Sequence, residues 1–127
     1  MEVAVTKDVE VRVESFFVQE TEHNGKQGYQ FAYRVQLKNL GATPVQLISR
    51  HWIITDSSGD VKEVRGAGVV GEQPRLGPGE SYEYMSGSLL ESPVGTMEGT
   101  YQMHDHLGES FDVTIPRFQL VVASKMN

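Results

Sequence analysis

Tyr29-Gln30-Phe31-Ala32-Tyr33-Arg34-Val35-Gln36-Leu37-Lys38 decides the fold. Large apolar side chains stand at every odd position, with polar or small ones between them. Side chains alternate across a strand, so period two marks a β-strand with one buried and one wet face. Upstream, Val9, Val11 and Val13 alternate with Glu10, Arg12 and Glu14, and Phe16, Phe17 and Val18 break the alternation. Glu22-His23-Asn24-Gly25-Lys26 lies between the two stretches and holds an Asn-Gly turn signal, so the pair reads as a hairpin.

Downstream the same logic repeats. Asn39 to Pro44 is a turn. Val45 to Asp56 is a third strand, apolar on both faces around Ile53 and Ile54, which is the mark of a central strand. Asp56 to Asp60 is a polar turn, and Val61 to Val70 continues extended. Glu72 to Gly79 carries Pro74, Gly77, Pro78 and Gly79, which suits neither a long helix nor a regular strand. Ser81 to Ser88 alternates again, and Leu89 to Gly95 is expected as a loop. Thr96 to His104 sets Met97, Tyr101 and Met103 on one side. After the turn at Asp105 to Gly108, Phe111, Val113 and Ile115 alternate, and Phe118 to Val122 closes the domain after Pro116. No helical stripe is long enough to assign. The expectation is an all-β chain of seven to eight short antiparallel strands, folded as a sandwich or barrel, one domain over residues 1–127, with 123–127 a loose tail.

Composition removes several functions. The net charge is −6, and the eleven basic residues are scattered, so nothing forms a footprint for nucleic acid. With no cysteine there are no disulfides, thiolate nucleophiles or Cys-based metal sites. The first residues lack a basic stretch followed by an apolar one, and no apolar run approaches the ~20 residues of a membrane-spanning helix. The expected location is the cytoplasm, with no membrane span.

Gly66-Ala67-Gly68-Val69-Val70-Gly71 matches the pattern G-x-G-x-x-G. In a dinucleotide fold these glycines turn a strand into a helix whose N-terminus holds a pyrophosphate. Val61 to Arg65 would supply the strand, but Pro74 and Pro78 exclude the helix, and a second βα unit is missing. Two other uses of the glycines stand. They permit a bulge, a positive φ or close backbone approach in a bent strand. Alternatively, they form a nest of N–H groups for an anion, with Arg65 and Arg75 as flanking donors.

Several strings occur together and in order: Arg50-His51-Trp52-Ile53-Ile54-Thr55-Asp56, Val64 to Pro74, Leu76-Gly77-Pro78-Gly79-Glu80, Ser86-Gly87, Gly95 to Met103 and Phe111 to Pro116. This set resembles the ApaG family of bacterial proteins over nearly the whole chain. It is also similar to the ApaG domain of some eukaryotic F-box proteins and of a protein that interacts with DNA polymerase delta. The resemblance implies an all-β, immunoglobulin/fibronectin-III-like antiparallel β-sandwich of seven to eight strands, in agreement with the strand count, and, from the eukaryotic occurrences, a protein-interaction role. It also implies a genetic association with cobalt and magnesium efflux, and a gene that often neighbours a diadenosine tetraphosphatase. It brings no catalytic residues. The sequence departs from the family pattern at His104-Asp105-His106, where acidic residues are more usual, and in lacking a proline near Ser86 to Leu90.

The remaining constellations are weaker. His104 and His106 would face one side of a strand and share a metal with Asp105 or Glu109, but with no other His-rich segment nearby a solvated polar turn is the better account of them. His51 beside Trp52 reads as a packed structural histidine rather than a base or ligand. Ser86-Gly87-Ser88 has no nucleophile elbow around it. The reading is therefore a non-catalytic protein-interaction module that binds an unidentified protein partner through Arg65, Gly66, Gly68, Gly71, Glu72 and Arg75. It would be a monomer or weak homodimer needing no cofactor, regulatory in divalent-cation or dinucleotide-polyphosphate metabolism. The alternative is a sensor that binds a nucleotide polyphosphate or a Mg or Co ion through Gly66–Gly71. Metal ligands are otherwise none, with His104 and His106 as the weak candidates.

Overall fold

The computed structural model describes residues 1–125. Among these residues there are nine strands: β1 (Glu2–Thr6), β2 (Val9–His23), β3 (Lys26–Asn39), β4 (Val45–Asp56), β5 (Val61–Ala67), β6 (Arg75–Leu76), β7 (Ser81–Leu90), β8 (Val94–His104) and β9 (Ser110–Val121). They form two antiparallel sheets, one ordered β1-β2-β3-β7, the other β5-β4-β8-β9 with the short β6 also paired to β4. The molecule is an antiparallel β-sandwich, as its alternation predicts, with nine strands in place of seven to eight.

The differences are local. The β1 strand escapes notice because a five-residue stretch with three exposed residues carries little pattern. Leu89 and Leu90, expected in a loop, complete β7, and β5 ends at Ala67 rather than running to Val70. The stretches before and after Pro116 are one strand, β9, and the register shift against β8 between Met97 and Gly99 absorbs the irregularity. Ala123–Lys125, expected as tail, is a turn of 3₁₀ helix. The rest of that expected tail, 126–127, lies outside the described residues.

Between the sheets the alternating residues meet as the period requires. Val9, Val11, Val13, Phe31, Val35 and Leu37 come from one sheet and Leu47, Trp52, Met97, Tyr101, Met103, Val113, Ile115 and Leu120 from the other, all at 2% exposure or less. Trp52 is the hub, with its ring centroid 5.2 Å from Tyr33, 5.9 Å from Phe118 and 6.4 Å from Tyr101. One seam of the sandwich is stitched by side chains: Ser15 Oγ donates to the Gln119 carbonyl (2.7 Å) and Thr114 N donates to Thr6 Oγ1 (3.1 Å). At the other side β7 and the β5/β6 pair are the outermost strands of their sheets.

Candidate functional site

The glycine motif forms an arm on the edge of the second sheet. β5 follows β4 in register from Thr55 to Ser49 and leaves it after Ala67, and the chain returns to β4 as β6 against Val45 and Gln46. At the point of departure β4 bulges, with a register shift against β8 between Leu47 and Ser49. The bulge frees the Ile48 carbonyl, which accepts from Gly68 N (2.8 Å) and from Gln73 Nε2 (2.9 Å). Pro74 O then accepts from Leu47 N (3.0 Å). The arm is thus tied to the sheet on both of its legs.

Its tip is a tight hairpin. Val69 and Glu72 exchange backbone bonds at 2.8 and 2.9 Å, leaving Val70 and Gly71 as the two turn residues, with φ of 42° and 82°. Two positive φ values in succession are the type I′ pattern that favours Asn-Gly. A β-branched residue is a genuine outlier in that conformation. Val69 packs into the core, whereas Val70 is 57% exposed. An apolar side chain is therefore held outward on strained backbone.

Arg50 holds the arm from beneath. It shares the strand face of Trp52, so it points between the sheets, and its register partners are Gly66 on β5 and Tyr101 on β8. The guanidinium passes over Gly66, where an added Cβ would lie 2.8–2.9 Å from it. Its Nη1 then donates to the carbonyls of Ala67 (3.0 Å) and Gly68 (2.8 Å). Gly68 itself combines φ of 61° with a Cβ position that would overlap the Glu72 carbonyl oxygen. Two of the three motif glycines are accounted for by close approach, and Gly71 by its turn conformation. Tyr84 and Tyr101 lie further in, their hydroxyls hydrogen-bonded to each other. Burial pushes both well above the usual phenol range, and raises Tyr33 as well, while the Arg50 charge partly offsets all three.

On the solvent face beside the arm the side chains are polar. His51 Nε2 lies 2.9 Å from Glu63 Oε1, and Arg65, 72% exposed, reaches the same carboxylate at 4.0 Å. Ser49 Oγ donates to Gln102 Oε1 (2.8 Å), and Gln102 Nε2 donates to Thr100 Oγ1 (2.8 Å) and, more distantly, to Asp112 Oδ1 (3.4 Å). Apart from Glu63, these residues line a shallow depression of about 420 Å³ together with Arg50 and Gly66. A second, of about 320 Å³, continues from His51 and Thr100 past Ile53 to Glu98 and Arg117.

Arg65, Gly66, Gly68, Gly71 and Glu72 thus fall on one continuous arm, and Arg75 stands at its return. Arg65 and Arg75 both face solvent, opposite His51 and Gln46 of β4, with the Ile48 bulge between them. The amides of Gly68, Val69 and Glu72 donate within the protein. His104 ends β8, and the Asp105 carboxylate between the two candidate histidines accepts from the backbone N–H of Glu109 (2.9 Å) and Leu107 (2.8 Å), which hold its pKa below the usual carboxylate value. Among the described residues no group of three or more His, Cys, Asp or Glu side chains could hold a metal ion. Nor is any helix there long and apolar enough to cross a membrane. Sequence reasoning missed Arg50. Its one signal was a charged residue at the inward parity of a strand that otherwise reads as core.

Two antiparallel sheets, with an edge arm clamped from inside by an arginine, define a β-sandwich protein whose most distinctive surface is a preformed loop. The ApaG domain model matches residues 19–105. The chain is 50% identical to Protein ApaG of Paramagnetospirillum magneticum over 115 residues, 91% of this chain and 88% of the relative. It is 51% identical to Protein ApaG of Rhizobium leguminosarum, covering 92% of this chain and 90% of the relative. The chain belongs to the ApaG family. A crystal structure titled as the putative ApaA protein from Bordetella pertussis superposes with a TM-score of 0.84 at 50% identity, covering 91% of this chain and 94% of that one. The X-ray structure of structural-genomics target SoR45 gives 0.89 at 39% identity, covering 94% and 90%.

Proposed function

We propose that this chain is a non-catalytic protein-interaction module that presents the Gly66–Arg75 arm to a protein partner. The observation that carries the reading is Val70: an exposed apolar side chain on strained backbone, at the tip of an arm anchored by Val69, Arg50 and Gln73. Strain of this kind persists only where the surrounding structure over-determines it, and it clusters at functional positions. A preformed tip binds without the entropic cost of ordering a loop. Arg65, Glu72 and Arg75 supply a charged rim around it, suited to steering and selecting a partner. A regulatory role in divalent-cation or dinucleotide-polyphosphate metabolism is the corresponding cellular setting.

The small-ligand reading has less support, because three amides that an anion nest would use already donate within the protein, two across the arm's tip and one to β4. Affinity capture from a cell extract tests the interaction reading. Proteins retained by the native chain should be lost from the Arg65→Glu/Arg75→Glu variant and depleted by Val70→Asn. An unchanged set, with both variants folded, sinks it. A rise in melting temperature with ATP, diadenosine tetraphosphate, Mg²⁺ or Co²⁺ would favour the sensor instead.

A further inference from the structure

The outer edge of β7 carries a second surface, independent of the arm. Sheet edges expose unpaired backbone N–H and C=O groups and are usually guarded by shortness, charge, proline or a cover. Three edges here are guarded: β1 is five residues long, β5 carries Lys62, Glu63 and Arg65 within seven residues, and β9 holds Pro116 and Arg117 and donates its Thr114 N–H to Thr6 Oγ1. By contrast, among the described residues β7 pairs only with β3, over ten residues from Ser81 to Leu90. From Tyr84 to Leu90 it has neither charge nor proline, and its outward side chains Met85 and Leu89 are 52% and 55% exposed.

The order of these residues suggests what covers them. Tyr84-Met85-Ser86-Gly87-Ser88-Leu89-Leu90 runs apolar, apolar, serine, glycine, serine, apolar, apolar, the same in chemical class from either end. A two-fold interface needs a patch that complements itself, and this order of residues meets that requirement by setting like class against like. An antiparallel strand pair with its axis at Gly87 sets Met85 opposite the partner's Leu89 on the solvent side. The same register sets Ser86 opposite the partner's Ser88, and Tyr84 opposite the partner's Leu90, on the inward side. Gly87 leaves the axis free of a side chain. We infer that the chain self-associates through β7, joining two four-stranded sheets into one of eight strands in this register.

The test is in two parts. Sedimentation velocity of the native chain from 1 to 500 µM should show the 14.1 kDa monomer giving way to a species of twice that mass. In Met85→Lys/Leu89→Lys the two cross-axis pairs become like-charged and the dimer should weaken at least tenfold, whereas Met85→Lys/Leu89→Glu should restore it. Because the native chain has no cysteine, the register is read directly by disulfide trapping. An equimolar mixture of the single variants Met85→Cys and Leu89→Cys should cross-link on mild oxidation, and each variant alone should cross-link far less, since directly opposed positions on paired strands meet disulfide geometry. A monomer at every concentration, a dimer indifferent to the lysines, or equal cross-linking by the single variants and the mixture overturns the inference. All the substitutions lie at positions more than half exposed, and the far-UV circular dichroism of each variant should match that of the native chain.

Discussion

Replacing Val70 by Asn should make the protein more stable. At φ of 42° Val70 occupies left-handed backbone, which costs an L-residue about 1–2 kcal/mol. Asn tolerates that conformation, and Asn-Gly is the preferred pair for such a turn. Against this stands lost burial. Val70 is 57% exposed, so 100 − 57 = 43% of its surface is covered. Full burial of a valine is worth about 1.5 kcal/mol, so the loss is about 0.6 kcal/mol. The strain term wins, and the net gain is about 0.5–1 kcal/mol. With a urea m-value of about 2 kcal/mol/M, the unfolding midpoint should rise by about 0.3–0.5 M with the slope unchanged. A midpoint that stays put or falls would refute the argument, and would mean either that the tip is relaxed or that Val70 packs more tightly than its exposure indicates. If the gain appears together with loss of captured protein, the strain is retained for binding, the trade expected where function keeps a position from its most stable residue.

Two further outcomes follow from the clamp and the tyrosines. Gly66→Ala should displace the flexible guanidinium of Arg50 from the Ala67 and Gly68 carbonyls and destabilise the fold by about 1–2 kcal/mol, since hydrogen bonds to charged groups are the stronger ones. In an Arg50→Met background the same change should cost much less, and a double-mutant cycle by urea unfolding that proves additive would show that the clamp is not what Gly66 serves. Stability should also fall in alkali. Tyr84 and Tyr101 have folded-state pKa values raised by burial above the unfolded value of about 10. Above that pH the unfolded chain releases protons that the folded chain retains, so the contribution is fully present below about pH 10 and is lost as pH rises toward the folded values. Urea midpoints at pH 9 and 11 should show the decline, and a Tyr84→Phe/Tyr101→Phe variant should show less of it. An equal decline in both proteins would place the alkaline sensitivity elsewhere.

How far the amino-acid order alone reaches is clear from particular residues. The alternation from Tyr29 to Leu37 states a strand and which of its faces is buried, because side-chain direction on a strand is a local property with a period of two. Asn24-Gly25 marks a turn for the same local reason. Pro74 and Pro78 are enough to exclude a helix after the glycines. Only the tertiary structure decided what those glycines are for. Gly66 is explained by Arg50, sixteen residues earlier in the chain and brought beside it by the β4–β5 register. Gly68 is explained by its φ of 61° and by the Glu72 carbonyl, which the folded-back tip brings to where a Cβ would stand, and its place is fixed by the Ile48 bulge, which depends on how β4 pairs with β8. The free edge of β7 likewise depends on strand order. Its Tyr84-to-Leu90 symmetry can be read in the letters, but its exposure follows from β7 lying last in its sheet. Local conformational preference is written residue by residue; which strand lies beside which is set by long-range packing, and both the arm and the edge are products of that packing.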